Sequence, residues 1–195
     1  MRLQLAHDLL HSATLARLPH EIALDGAQCI RLGRDVLVNV GNKNHALGYK
    51  WLQSILGDRF QFHALDRLAA DHIDTFILPL RPGLWLARNA DFVKSLPDEF
   101  ASWDVIVAPE AEEDRFPNYA GTSFPIASTH VDMNVLSINE STVVVNSLYP
   151  ELIRVLERRG LAVVPVQLRH RRLIGGGFHC LTIDVRRSGN LESYT

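Results

Sequence analysis

The sequence repeats one pattern of secondary-structure signals, and this repeat constrains the fold more than any other feature. Each copy has two short apolar runs joined by a turn, then a stretch with helical spacing, then a third apolar run. The copies predict strand, strand, helix and strand at 29–32, 36–40, 45–56 and 60–65; at 74–78, 84–87, 90–96 and 103–107; and at 134–138, 142–145, 149–159 and 161–166. A fourth copy begins at Gly175 and ends with the chain. The repeat therefore predicts an α/β fold of hairpin-helix-strand modules, in one domain over residues 1–195.

Polar residues capable of chemistry stand at similar places in successive copies. Asp25 precedes the first hairpin, His72 and Asp74 open the second, Ser128 lies before the third, and Cys180 opens the fourth. Repeated modules stacked around an axis direct corresponding positions toward one shared surface. We therefore expect a central site built from the ends of strands.

Cys180 follows three glycines and precedes an alternating apolar run over 181–185. Glycines permit a tight turn and a close approach of the backbone to a ligand, and the run predicts a strand. The pattern places Cys180 where a turn enters a strand, a position at which reactive side chains are common. The alternative is a buried cysteine beside a glycine turn, since free cysteine is among the most buried residue types.

A cysteine, a histidine and an aspartate brought together by the fold are the parts of a thiol-nucleophile enzyme. Cys180 would be the nucleophile, His72 the general acid and base, and Asp25 the carboxylate that fixes the imidazole tautomer. A nearby cation, including a cationic substrate, would lower the pKa of the thiol. Asp74 lies two residues after His72, so on a strand both would face one side, and its carboxylate could grip a guanidinium. The alternative for Asp74 is a structural carboxylate bonded to a neighbouring loop.

Composition narrows the partners and the compartment. Lys and Arg number 20 against 22 Asp and Glu, which argues against nucleic acid and anionic membrane as partners. No apolar stretch is long enough to span a bilayer. Two cysteines in 195 residues favour a reducing compartment, so we expect a cytoplasmic protein. We expect no metal and no cofactor, because no zinc motif occurs and His179 and Cys180 would point to opposite faces of a strand.

Short blocks of the sequence, in order and at fitting spacing, carry a family resemblance. They are residues 25–27, 30–35, 72–74, 133–136, 175–180, 184–189 and 191–194. They resemble the amidinotransferases that move an amidino group from arginine to an acceptor amine, such as the glycine and inosamine-phosphate amidinotransferases. The resemblance begins near residue 20 and matches the C-terminal half of that family.

The resemblance implies a fold and a set of roles. The fold would be a pseudo-fivefold α/β propeller with a central site, here a partial one. Cys180 matches the residue that carries the amidino group, His72 the acid and base, and Asp25 its carboxylate partner. Asp74 matches a guanidinium-binding carboxylate, and Ser128 matches one of two neighbouring serines. The substrates would be arginine and an acceptor amine.

The sequence departs from the family in ways that leave alternatives open. Family members are longer and carry a further guanidinium-binding aspartate upstream of the position of Asp25. The second serine position is Ala127, and Asp91 stands where the glycine enzyme has a substrate-binding arginine. Three hypotheses follow: an amidinotransferase, a guanidino hydrolase or deiminase with the same first half-reaction, or an inactive or partner-dependent fragment. The last would pair with a complementing chain or with another copy of itself.

Overall fold

A computed structural model describes residues 21–66, 72–110, 130–188 and 192–194. These ranges contain three sheets of three strands, and all three have the same topology. In each sheet the first two strands form an antiparallel hairpin, and the third strand lies parallel to the second. The predicted α/β class and the three hairpin-helix-strand modules are confirmed. The five-module propeller stays a prediction.

Module 1 comprises β1 (Cys29–Leu32), β2 (Asp35–Asn39), α1 (Lys43–Leu56) and β3 (Gln61–Leu65). All five residues of β2 are buried, because this strand is central in its sheet and pairs on both edges. Helix α1 starts where the Asn42 side chain accepts a hydrogen bond from the backbone N–H of His45, at 2.9 Å. It ends before Gly57, as the sequence predicted.

Module 2 comprises β4 (Ile77–Arg81), β5 (Leu84–Ala87), α2 (Ala90–Lys94), α3 (Asp98–Ala101) and β6 (Asp104–Val107). Its first strand begins three residues later than predicted, because Ile73–Thr75 forms a 3₁₀ helix. The single helix predicted over 90–96 is also two short ones. Pro97 lies between them and stands at the start of α3, where its missing N–H costs no helical hydrogen bond.

Module 3 comprises β7 (Leu136–Asn139), β8 (Thr142–Asn146), α4 (Pro150–Arg158) and β9 (Ala162–Val166). Pro150 occupies the first turn of its helix, where its missing N–H costs no helical hydrogen bond. Beyond the helix, Gly160 has a φ of +79°, a left-handed conformation that favours glycine.

The fourth copy does not form as predicted. A short helix, α5 (Arg171–Ile174), ends at Gly175, and no strand occurs over the described residues 175–188. Ile183 and Val185 are 86% and 92% exposed. The alternating run makes no strand because no described strand pairs with it; instead, Arg187 donates a side-chain hydrogen bond to the backbone carbonyl of Ser137 in β7, at 2.6 Å.

Strand β5 joins the modules by dividing its two faces between two apolar clusters. Trp85 and Ala87 pack into the cluster shared by modules 1 and 2. Leu84 and Leu86 pack into the cluster shared by modules 2 and 3. Alternation with a period of two therefore places one strand in both cores.

No helix in the described part of the chain is long and apolar enough to cross a membrane. The cytoplasmic location expected from the sequence stays a prediction.

Candidate active site

Three polar side chains from distant parts of the chain converge on the carboxylate of Asp74. The residue is only 3% exposed and lies in the 3₁₀ helix that precedes β4. Its Oδ2 accepts three hydrogen bonds: from Asn134 Nδ2 at 2.8 Å, from His179 Nδ1 at 2.8 Å and from Cys180 Sγ at 3.3 Å. These three partners are separated from Asp74 by 60, 105 and 106 positions in the sequence, and the fold brings them together.

The second oxygen of the same carboxylate, Oδ1, is buried and has no hydrogen-bond partner among the described residues. An unsatisfied buried acceptor costs on the order of 1–3 kcal/mol, so native proteins rarely leave one without a reason. Asp74 therefore offers one saturated oxygen and one open oxygen. A carboxylate oxygen in this state can accept a hydrogen bond from a cationic or N–H-bearing group.

The carboxylate of Asp74 is ionised at neutral pH. Burial by itself would raise the pKa of Asp74, but the hydrogen bonds from His179 and Asn134, together with the charge on His179, hold that pKa below its usual value. A negative charge is therefore fixed next to the Cys180 sulfur.

The glycine run before Cys180 brings the sulfur to this carboxylate. Gly175 has a φ of +74° and ends α5. A Cβ on Gly176 would lie 2.9 Å from the Cβ of Cys180, and one on Gly177 would lie 2.6 Å from the carbonyl oxygen of Asn134. The last two glycines therefore leave room for the turn over 178–181 to pack against its neighbours.

The thiol of Cys180 is protonated in the ligand-free site. Desolvation is the largest cause that raises its pKa, and the charge of Asp74 and the hydrogen bond to Asp74 raise it further, to about 11. Hydrogen bonds from the Gly177 backbone and the Asn134 side chain act in the opposite direction. A nearby positive charge would lower this pKa and increase the thiolate fraction.

His72 and Asp25 form a second polar pair beside this cluster. Asp25 Oδ1 caps the 3₁₀ helix Gly26–Gln28, and its Oδ2 lies 3.6 Å from His72 Nε2. His72 is the residue immediately before the 3₁₀ helix that carries Asp74, and the two 3₁₀ helices pack together. Both side chains of the pair are substantially exposed, so a reacting group in solution can reach them.

Several expectations about local geometry were wrong. His72 and Asp74 do not share a strand face, because the segment is a 3₁₀ helix. Cys180 lies in a turn rather than at the start of a strand. For the same reason, the side chains of His179 and Cys180 do not diverge, and both reach Asp74 Oδ2. Ser128 lies outside the described residues.

The sequence reasoning missed two side chains, His179 and Asn134. His179 was weighed only as a metal ligand and set aside on the assumption of a strand. Asn134 was noted within a family block without a role. The signal that could have found both is a glycine run, which indicates a turn whose consecutive side chains can converge.

No group of three or more His, Cys, Asp or Glu side chains within the described ranges could hold a metal ion. The cluster around Asp74 is instead a hydrogen-bonded carboxylate, amide, imidazole and thiol.

The comparisons first define a fold class. The fold resembles that of dimethylarginine dimethylaminohydrolase from Pseudomonas aeruginosa, with 19% identity, a TM-score of 0.54, and coverage of 77% of this chain and 51% of that chain. At this identity the likeness shows a shared α/β fold and nothing more. No family model matches the chain.

Closer relatives then define the family. An inosamine-phosphate amidinotransferase structure from Streptomyces griseus shares 41% identity with a TM-score of 0.79, over 89% of this chain and 49% of that one. Among curated proteins, an inosamine-phosphate amidinotransferase of Streptomyces glaucescens is 42% identical over 176 residues, which are 89% of this chain and 49% of that protein. An L-arginine:L-lysine amidinotransferase of Pseudomonas savastanoi pv. phaseolicola is 35% identical over 186 residues, 94% of this chain and 49% of that protein. The chain belongs to the amidinotransferase family, and it spans about half the length of the curated relatives it matches.

Proposed function

We propose that the chain carries the nucleophile of an amidinotransferase site, which transfers an amidino group from L-arginine to an acceptor amine through an adduct on Cys180. The observation that supports this most is the open, buried Oδ1 of Asp74 within a carboxylate that already contacts the Cys180 thiol. A guanidinium donating to Oδ1 would lie beside the sulfur, which is the placement that attack on its central carbon requires.

The proposed reaction has two halves. The Cys180 thiolate attacks the guanidinium carbon, the bond from that carbon to the departing amine breaks, and His72 donates a proton to the ornithine amine. In the second half, the acceptor amine attacks the amidino-cysteine, His72 takes a proton from that amine, and Cys180 leaves as a thiolate. A covalent nucleophile thereby divides one difficult step into two. Asp25 would orient His72, and Ser128 would contact the substrate.

A bound guanidinium would also ionise the thiol. The ligand-free pKa of about 11 keeps the sulfur protonated, in part because of the negative charge on Asp74. A cation bound to Asp74 offsets that charge, so the thiol pKa falls when the substrate binds and the thiol releases its proton to solvent water. Loss of the thiol proton also frees one of the three hydrogen-bonding positions on Oδ2, so the guanidinium gains a second acceptor. The grip expected from the sequence would thus begin on Oδ1 and become bidentate only after ionisation.

Intact-mass analysis after incubation with arginine tests the proposal. We expect a mass increase equal to one amidino group on the wild-type chain and none on Cys180→Ala. The Cys29→Ala variant is the matched control, because Cys29 is the other thiol of the sequence; it should still form the adduct. An unmodified wild type, or an adduct that persists in Cys180→Ala, would contradict the proposal.

Product analysis separates transfer from the hydrolase alternative. If an amine accepts the amidino group, a new guanidino compound forms; if water accepts it, urea forms. Both outcomes retain the adduct on Cys180, so they decide the second half of the reaction and leave the first intact.

We also propose that transfer to the acceptor amine needs strands supplied by the half of the family that the chain does not match, which would complete a partial propeller, whereas the adduct forms with the residues of this chain. Support comes from the exposed Ile183 and Val185, which follow the nucleophile in an alternating pattern that has no described strand partner. The unmatched half of the Streptomyces glaucescens relative, purified separately, is the probe. Association measured by light scattering, lost in Ile183→Asp, is the expected result; a monomer in its presence, or a homodimer formed in its place, would contradict the proposal.

A further inference from the structure

Asn134 connects the Asp74 carboxylate to the turn that carries His179 and Cys180. Its Nδ2 donates to Asp74 Oδ2 and its Oδ1 accepts from the backbone N–H of Cys180, each at 2.8 Å. Its backbone carbonyl accepts from the N–H of His179 at 3.3 Å. The residue is 4% exposed, so water does not compete for these bonds.

The chain is built to keep Asn134 at this place. It directly follows the 3₁₀ helix Val131–Met133, whose three residues are all buried. Gly177 packs directly on it: an added Cβ there would lie 2.6 Å from both the Cβ and the carbonyl oxygen of Asn134. Gly177 therefore packs directly against Asn134, and a side chain at position 177 would collide with the asparagine.

The chemistry of the two side-chain bonds restricts the residue type. One end must donate to a carboxylate and the other must accept from a backbone N–H. A primary amide has both a donor and an acceptor in one short rigid plane, whereas a carboxylate cannot donate and an aliphatic side chain does neither.

We propose that Asn134 is the positioning residue of this site. It holds the Asp74 carboxylate and the Cys180 backbone in one geometry, so that the thiol stays beside the carboxylate that would bind the guanidinium. The inference rests on the proposed function. It does not require that Asn134 touch the substrate.

The ionisation of the Cys180 thiol reports on this role. The charged groups that face the sulfur are Asp74 and, on the same oxygen, His179; the His72–Asp25 pair lies on the adjoining 3₁₀ helices. The Asn134 side chain lowers the thiol pKa, whereas Asp74 raises it. Removing Asn134 should therefore move the thiol pKa upward, which loss of packing alone would not do, because loosening the site admits water and lessens the desolvation that raises it.

The experiment measures the pH profile of iodoacetamide alkylation at Cys180 in a Cys29→Ala background. Asn134→Ala should raise the midpoint of the profile by about one pH unit, the size expected for one lost hydrogen bond. N134D keeps the acceptor for the Cys180 N–H and loses the donor to Asp74. It also places a second negative charge beside Asp74, so its midpoint should lie above that of Asn134→Ala.

The matched control is Asn146→Ala. Asn146 is 2% exposed and makes the same kind of bridge, since its Nδ2 donates to Asp132 at 2.6 Å and its Oδ1 accepts from the backbone N–H of Leu148 at 3.2 Å. Its loss should cost comparable stability and leave the thiol profile in place. An unchanged profile in Asn134→Ala, or an equal shift in Asn146→Ala, would overturn the assignment.

The two proposals fail in different ways. Loss of the Cys180 adduct from the wild-type chain would remove the amidinotransferase function but leave the thiol profile intact. An unshifted profile in Asn134→Ala, with adduct formation retained, would remove only the role of Asn134.

Discussion

Replacing Asp74 by asparagine should lower the pKa of the Cys180 thiol. Three causes raise that pKa from 9.0 to about 11: desolvation first, then the charge of Asp74 and the hydrogen bond to Asp74. The substitution removes the charge and leaves the desolvation. Desolvation is the largest cause and stays in place, and solvent screens the charge of Asp74 because Cys180 is exposed. We therefore expect the thiol pKa to fall by about one unit, which means about tenfold more thiolate at a pH below the midpoint.

The assay is the pH dependence of iodoacetamide alkylation at Cys180, followed by peptide mass analysis in a Cys29→Ala background. The midpoint of the profile is the quantity to compare, because the intrinsic nucleophilicity of a thiolate falls with its pKa and partly offsets the larger thiolate fraction. Asp91→Asn is the matched control: it also removes one carboxylate, but that carboxylate is exposed and paired with Lys94 at 2.7 Å. A midpoint that remains near 11 in Asp74→Asn would refute the electrostatic account of the site.

Three further predictions concern stability. Gly177→Ala should destabilise the fold by about 1–3 kcal/mol through overpacking, measured by urea unfolding; Gly26→Ala, where an added Cβ meets nothing within 4 Å, is the control and should change little. Arg171→Met should cost about 3–5 kcal/mol, because it leaves buried the Asp132 carboxylate that Arg171 contacts at 2.7 Å; an unchanged urea midpoint would contradict this. Burial and the charge of Asp25 raise the pKa of Cys29 in the fold from 9.0 to about 11, so the contribution of Cys29 to stability is present below pH 9 and is lost as pH rises to 11. In Cys29→Ala the free energy of unfolding should therefore fall less steeply between pH 9 and 11, and an equally steep fall would refute the reasoning.

The modules could be predicted from the sequence because their signals are local and repeated. A turn glycine such as Gly33, a capping residue such as Asn42 and the helix-starting Pro150 each act within a few residues. The third strand can lie parallel to the second because a helical segment connects them. The errors occurred where a strand needs a distant partner. Residues 181–185 have the alternation of a strand but no described neighbour, and alternation alone does not pair a backbone.

The candidate site divides in the same way. Asp74 and Cys180 could be selected as chemistry-bearing residues, but their direct contact could not be read from positions 106 residues apart. The strand assumption placed His179 on the wrong face, and the turn that the glycines impose reverses that conclusion. Asn134 could not be assigned a role, because its side chain bonds to Asp74 and Cys180, which lie 60 and 46 residues away, and the local sequence shows neither partner.

If guanidinium binding lowers the thiol pKa, thermodynamic linkage requires that ionisation of the thiol raise guanidinium affinity by the same factor. Affinity for methylguanidine, measured by calorimetry, should therefore increase as pH approaches the thiol pKa of about 11. Cys180→Ala should remove the increase while retaining binding, because the open Asp74 Oδ1 remains. Asp74→Asn should remove binding itself. The base-ten logarithm of the fold-change in affinity between low and high pH must equal the shift in thiol pKa that saturating methylguanidine produces in the alkylation profile. A ligand that shifts the profile without a matching change in affinity, or whose affinity is independent of pH in the wild type, would show that the carboxylate and the sulfur do not act on one bound cation.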